Sequence, residues 1–232
     1  MAGGRLTPTY LRIGGVAKDL PEGIEEKIKA FVRTLPDHMK EYETLLTKNV
    51  IWMERTKNVG FLSKEDALTW GVTGPTLRGT GVKYDVRKAF PYSSYEEFDF
   101  DIPVGSVGDV YDRYIVRLRE MEWSNAIVEQ ALERLPKGPI IANDPRITLP
   151  PKEDVVTDIA SLIRQFKIVS EGFQPPKGEI YAGVEASKGE LGFYIVSDGT
   201  NHPFRFRIRT PSFANLSALP TMVEGSLVAD VI

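Results

Sequence analysis

The residues best placed to do chemistry are cations. Arg205, Arg207 and Arg209 alternate with Phe204, Phe206 and Ile208, so an extended backbone would set all three guanidiniums on one face. Three cations on one face call for anionic partners. Acidic residues of this or another chain would make the group structural, which is the commoner use; a redox centre or an anionic reaction intermediate would make it functional. Arg5 and Arg12, near Tyr10, allow the same two readings. The carboxylate pairs Asp99/Asp101 and Glu96/Glu97 could bind a cation but read as a solvated loop.

Other routes are closed by composition. Among 232 residues there is no cysteine and only His38 and His202 for imidazole, which excludes disulfides, thiolate-bound zinc, iron–sulfur ligation and thiol catalysis by these residues. Gly79-Thr-Gly81 lacks the third glycine of a dinucleotide fingerprint. No Walker, Gly-x-Ser-x-Gly or His-Glu-x-x-His pattern occurs either. Electrons handled here would travel on a cofactor held elsewhere. With 29 Lys+Arg against 32 Asp+Glu, a net charge of −3, and no long basic run, nucleic acid is not an expected partner. No apolar stretch approaches the roughly 20 residues that cross a bilayer, and no apolar segment after Met1 resembles a signal peptide. The expectation is a soluble or peripheral, cytoplasmic chain.

The elements that must position these residues follow from periodicity. Ile24, Ile28, Phe31 and Leu35 predict a helix from about Pro21, stopped by Pro36, with Asp37 capping a second helix. Ser63 and Asp66 form a capping box for a short helix that Gly71 ends. Residues 71–104 are rich in glycine, proline and aromatics, and are expected to be irregular, lining a site or awaiting a partner. A second box, Ser106 with Asp109, opens a long helix whose apolar stripe runs from Val107 to Leu135. After a proline-rich connection, Lys152 to Glu171 predicts an amphipathic helix closed by Gly172. From Ile180 to Arg209 the period becomes two, which predicts a three-stranded antiparallel sheet, with Asp198-Gly199 turning before its last strand. Leu227 to Ile232 is an apolar run without a cap, expected to be a helix cut short. Exposed apolar surface is expected there and around Phe90–Phe100. The fold class is α+β, mainly α, as one domain over residues 1–232.

Many strings together resemble one family, the 49-kDa or D subunit of proton-pumping NADH:quinone oxidoreductase. They include Tyr10-Leu-Arg-Ile-Gly-Gly-Val16, Gly71-Val-Thr-Gly74 with Leu77-Arg78, and Gly81-Val-Lys-Tyr-Asp-Val-Arg-Lys-Ala-Phe-Pro-Tyr92. Gly108-Asp-Val-Tyr-Asp-Arg113, Lys188-Gly-Glu-Leu-Gly192, Val196-Ser-Asp-Gly199 and Ile208-Arg-Thr-Pro-Ser-Phe213 continue the series in order. The resemblance covers essentially the whole chain. It implies a helical domain resembling the nickel–iron hydrogenase large subunit, with a small antiparallel sheet. It also implies assembly with a 20-kDa-type subunit bearing the terminal iron–sulfur cluster, a 30-kDa-type subunit and membrane-arm subunits, on the cytoplasmic side of the membrane. The substrate would be a quinone, ubiquinone or menaquinone; the chain itself would bind no cofactor and no metal and have no NADH site.

Residues near the quinone or the cluster would be Arg5, Thr7, Arg207, Arg209 and Phe213, with no catalytic residue assigned. The family's His and Tyr that hold the quinone head would lie before Met1, and its acidic-Asp-Arg ending after Ile232, so the isolated piece is expected to be inactive. Two positions depart from the pattern. Where many relatives carry histidine two residues after the arginine equivalent to Arg5, this chain has Thr7, and a hydroxyl does not titrate near neutral pH. Gln165 stands where relatives often have histidine. The alternatives on the same scaffold are a membrane-bound hydrogenase large subunit or a related donor:quinone dehydrogenase. From another class comes a non-catalytic assembly domain.

Overall fold

The computed structural model describes Gly4 and residues 9–231; Arg5, Thr7 and Ile232 therefore lie outside the described residues. In chain order the elements are β1 (Leu11–Arg12), β2 (Gly15–Val16), α1 (Ile24–Tyr42), α2 (Val50–Thr56), α3 (Lys64–Thr69), α4 (Pro75–Gly79), α5 (Val86–Ala89) and α6 (Val110–Glu133). There follow α7 (Lys152–Thr157), α8 (Ile159–Ser170), β3 (Gly178–Ala186), β4 (Gly189–Ser197), β5 (Arg205–Arg209), α9 (Pro211–Ser217) and α10 (Leu219–Val223). About 47% of the described residues are helical, and β3-β4-β5 form the expected antiparallel sheet in that order. The fold is α+β with helix predominating.

Contacts divide the chain into two compact units. The first comprises residues 1–28, 135–180 and 195–206. Its hairpin pairs Leu11 with Val16 and Arg12 with Gly15, and the chain near Ile140 docks on it through Val16 N–H to Ile140 O (3.0 Å) and Ala142 N–H to Gly14 O (2.7 Å). The helix expected over Lys152–Glu171 is broken: Asp158 is extended and caps α8, accepting from the Ser161 N–H at 2.8 Å. A carboxylate in a helix interior competes for backbone donors, and here the cap wins. Gly172, with φ +74°, follows the last turn as expected.

The second unit comprises residues 29–134, 181–194 and 207–232. Leu62, Ala67, Val72, Leu77 and Ala218 form its apolar core, with Val82, Tyr84 and Met222 packed against them. The Ser63 box forms as expected: its hydroxyl accepts from Asp66 N–H (3.0 Å) and donates to the Asp66 carboxylate (2.7 Å).

Pro36 does not end α1. A proline has no N–H for the carbonyl four residues back, and that carbonyl, on Val32, takes a hydrogen bond from the Asn125 side-chain amide of α6 at 3.0 Å instead. The sequence reading missed this because the replacement donor lies 93 positions away.

The cap of α6 also differs. Asp109, not Ser106, is the N-cap, accepting from Asp112 N–H at 2.8 Å. The Asp112 carboxylate folds back on the N–H groups of Ser106, Val107 and Gly108. Burial works against its charge, but these three donors hold Asp112 below the usual carboxylate range. Val107 and Leu135 fall outside the helix and are exposed, while Val116 and Leu118 are its buried residues.

Segment 71–104 is irregular between short helices, yet densely packed. Phe100 is buried, contrary to the expected exposure, and the rings of Tyr92, Tyr95 and Phe100 meet edge-on; Phe90 is the exposed aromatic there. Leu227, Val228 and Val231 are exposed as expected, around a short 3-10 turn at Val228–Asp230.

Candidate functional site

Two backbones touch where the site begins. Gly74, at φ +72°, precedes α4, and a Cβ there would lie 2.4 Å from the Gly189 Cα at the start of β4. Only glycine allows that approach, and it brings α4, carrying Arg78, up to the β3–β4 hairpin.

Arg78 is 2% exposed. Its Nε donates to Glu120 of α6 (2.6 Å), and its Nη1 to Glu185 of β3 and to the Tyr84 carbonyl (3.0 Å each); Asp85 stands 3.6 Å away. Asp85 caps α5 and is clasped by Arg87 through Nε (3.0 Å) and Nη2 (2.7 Å). Arg87 in turn lies over the Phe100 ring, 4.9 Å from its centre.

Two guanidiniums thus face three carboxylates, an excess of one negative charge. Burial opposes ionisation of Asp85, but the hydrogen bonds and charge of Arg87, with Arg78 behind, hold its carboxyl below the usual range. Glu185 goes the other way: burial pushes it up and the Asp85 charge adds to that, against the pull of Arg78.

From this cluster a chain of hydroxyls leads outward. Tyr84 donates to Glu190 Oε2 at 3.1 Å, and Tyr181 to Glu190 Oε1 at 2.5 Å. Burial, then the neighbouring Glu190, pushes both phenols up to about 12. Gly192 makes room for the arrangement, since a Cβ there would fall 2.1 Å from the Tyr181 hydroxyl oxygen.

Tyr181 lines a cleft of about 480 Å³ with Tyr194, Arg207, Arg209 and Phe213. Three of the sequence-derived candidates, Arg207, Arg209 and Phe213, therefore share one cleft wall; Arg5 and Thr7 lie outside the described residues. Within the described residues of this chain, no carboxylate pairs with these arginines. Arg209 donates to Thr73 Oγ1 (2.8 Å) and to the carbonyls of Glu190 (2.7 Å) and Gly71 (2.5 Å). Among the described residues Arg207 forms no ion pair. For Arg209 the sheet brings main-chain oxygens, not an acidic side chain of this chain, to the guanidinium.

The buried cluster and the Tyr84–Glu190–Tyr181 chain were not singled out from sequence. The usable signal was the alternation of Tyr181, Gly183 and Glu185 on β3, which puts both reactive side chains on one face. Among the described residues no group of three or more His, Asp or Glu side chains is set to hold a metal ion.

Comparison with known proteins supplies the context. Residues 1–232 match the family described as the respiratory-chain NADH dehydrogenase 49 Kd subunit. The chain is 51% identical over 232 residues to the NADH-quinone oxidoreductase D subunit of Geotalea uraniireducens, covering all of this chain and 60% of that protein. It has the same identity and coverage against the D subunit of Geobacter metallireducens. Against one D subunit of Solibacter usitatus, numbered 1, it is 52% identical over 231 residues, covering 100% of this chain and 56% of that protein. The chain thus spans less than two thirds of the length of these relatives. It belongs to the family of the 49 Kd subunit of respiratory-chain NADH dehydrogenase.

Proposed function

We propose that this chain serves as the quinone-site subunit of a proton-pumping NADH:quinone oxidoreductase, forming part of a pocket wall while partner subunits supply electrons. The observation that carries the reading is the family match over residues 1–232, with relatives named as D subunits of NADH-quinone oxidoreductase at about half identity. The cleft supports it chemically: phenols, guanidiniums and an exposed aromatic ring suit a planar ligand that gains negative charge on reduction.

The substrate is ubiquinone or menaquinone. The partners are the cluster-bearing 20-kDa-type subunit, the 30-kDa-type subunit and the membrane arm. The chain binds no cofactor of its own and sits peripherally on the cytoplasmic side of the membrane. Among the described residues no helix is long and apolar enough to cross a membrane, which accords with a peripheral place. The same reading gives the fold of a nickel–iron hydrogenase large subunit.

The test is genetic replacement. Membranes lacking the gene segment for these residues should lose quinone-dependent NADH oxidation and regain it with the complete subunit, whereas the isolated chain should show no turnover. Undiminished quinone-dependent oxidation without the segment would overturn the reading.

A further inference from the structure

Helix α8 is built with its apolar side outward. Ile159, Leu162, Ile163, Phe166 and Val169 recur at spacings of three and four, so they share one face. Each is between 50% and 75% exposed. The opposite face carries Ser161, Arg164, Gln165 and Ile168, and these four are the half-buried ones. Polar contacts hold the helix instead. Asp158 caps its start, the Arg164 Nε is shielded from solvent, and the Glu171 carbonyl after its last turn accepts from the Asn201 side-chain amide at 2.7 Å.

Three kinds of occupant could cover such a face, and two fit it poorly. An anionic membrane surface calls for a basic excess around the apolar stripe. Residues 152–171 instead hold three cations, Lys152, Arg164 and Lys167, against four carboxylates, Glu153, Asp154, Asp158 and Glu171. A second copy of the chain needs area. The 12 residues of α8 make a face about 18 Å long and about 10 Å wide, far short of the roughly 800 Å² per partner that a stable pair of proteins buries. The third occupant is a subunit already bound to this chain elsewhere, for which a small apolar contact is enough. Charge adds a constraint on it: Lys167, next to Phe166 at the edge of the stripe, forms no ion pair among the described residues.

We propose that α8 docks in an apolar groove of a neighbouring subunit, seated by Ile159, Leu162, Ile163, Phe166 and Val169, with a carboxylate on the groove rim meeting Lys167. This rests on the assembly reading above and on no quinone contact. Anchors every three or four residues are how a groove recognises an amphipathic helix. The apolar face supplies the affinity, and the single cation fixes the direction in which the helix lies.

The experiment uses the complete subunit in its assembled complex, with Phe166 replaced by the photoreactive benzoylphenylalanine. Irradiation should join it to one other subunit, at an apolar segment with Asp or Glu beside it. Phe166→Asp should lower the amount of intact complex on native gels at least about ten-fold, because it sets a charge in an apolar groove. The same variant of the chain alone should keep its helical circular dichroism. Lys167→Glu should lower assembly less, and changing the acidic residue beside the photo-adduct to lysine should restore it.

An adduct within the subunit itself, an adduct to lipid or no adduct would each overturn the assignment, as would undiminished assembly of Phe166→Asp. Should Phe166→Asp unfold the chain alone, the photo-adduct and the Lys167 charge reversal decide. If the unsubstituted subunit purifies without any partner, the assembly reading falls. If it assembles fully but cross-links only to itself, the α8 docking falls alone.

Discussion

Segment 71–104 and helix α8 exchange the roles their sequences suggest. The segment is punctuated by glycine and proline, yet holds Val72, Leu77, Arg78, Asp85, Val86 and Phe100 in the interior. Helix α8 has a clean apolar stripe and buries none of it: Ile159, Leu162, Ile163, Phe166 and Val169 are all at least half exposed. Periodicity reports that a face needs cover, not that the same chain provides it. The irregular segment can be buried because its polar groups are answered one by one. Arg78 has carboxylates and a carbonyl, and the Val86 N–H has Glu185.

The contrast predicts unequal costs. Arg78→Met should be the most damaging change. It leaves Glu120, Glu185 and Asp85 short of a cation, at about 3–5 kcal/mol. Urea unfolding would read this, and a loss below about 1 kcal/mol would mean the cluster is solvated.

Next comes Asn125→Leu, which strands the Val32 carbonyl at about 1–3 kcal/mol. Pro36→Ala supplies the missing N–H, so the loss should largely vanish in the double variant. Additive effects in that cycle would disconnect the two residues.

Titration separates the two carboxyls of the cluster. Asp85 is lowered in the folded chain, so its contribution is complete above the ordinary aspartate range and drains away as pH falls through the folded value. Glu185 is raised: the stability from holding its proton is present below the ordinary glutamate value and lost as pH rises through the folded one. Asp85→Asn should therefore flatten the acid limb of stability against pH, and Glu185→Gln the fall on the higher side. Interchanged limbs would reverse the charge assignment.

The smallest effect belongs to α8, where Phe166→Ser should change the stability of the chain by less than about 0.5 kcal/mol. A large loss would show that its apolar face is covered within this chain after all.

How far these differences were legible depends on the range of the causes. The Ser63 box, the turn at Gly71 and the two-residue period of β3–β5 are local, and each formed as expected. The break at Asp158, the continuation through Pro36 and the capping by Asp109 were decided by competition between donors, which residue types alone do not rank. The β1–β2 hairpin and helices α9 and α10 are too short for a period to emerge. The cleft was partly legible, because alternation along β5 and the Ile208-to-Phe213 string pointed to Arg207, Arg209 and Phe213. Arg78 was not, because a lone arginine reads as a surface residue until its three carboxylates, up to 107 positions away, are brought to it.

The amide of Asn125 also sets an order of events for change over generations. A proline at position 36 is tolerable only once a donor from α6 already reaches the Val32 carbonyl, whereas asparagine at 125 needs no proline to be harmless. Inheritance can therefore run from asparagine to proline but is blocked in the reverse order, and once proline is in place position 125 loses its freedom to drift. Two sites far apart in the chain become linked in one direction, the proline being the reason the asparagine persists.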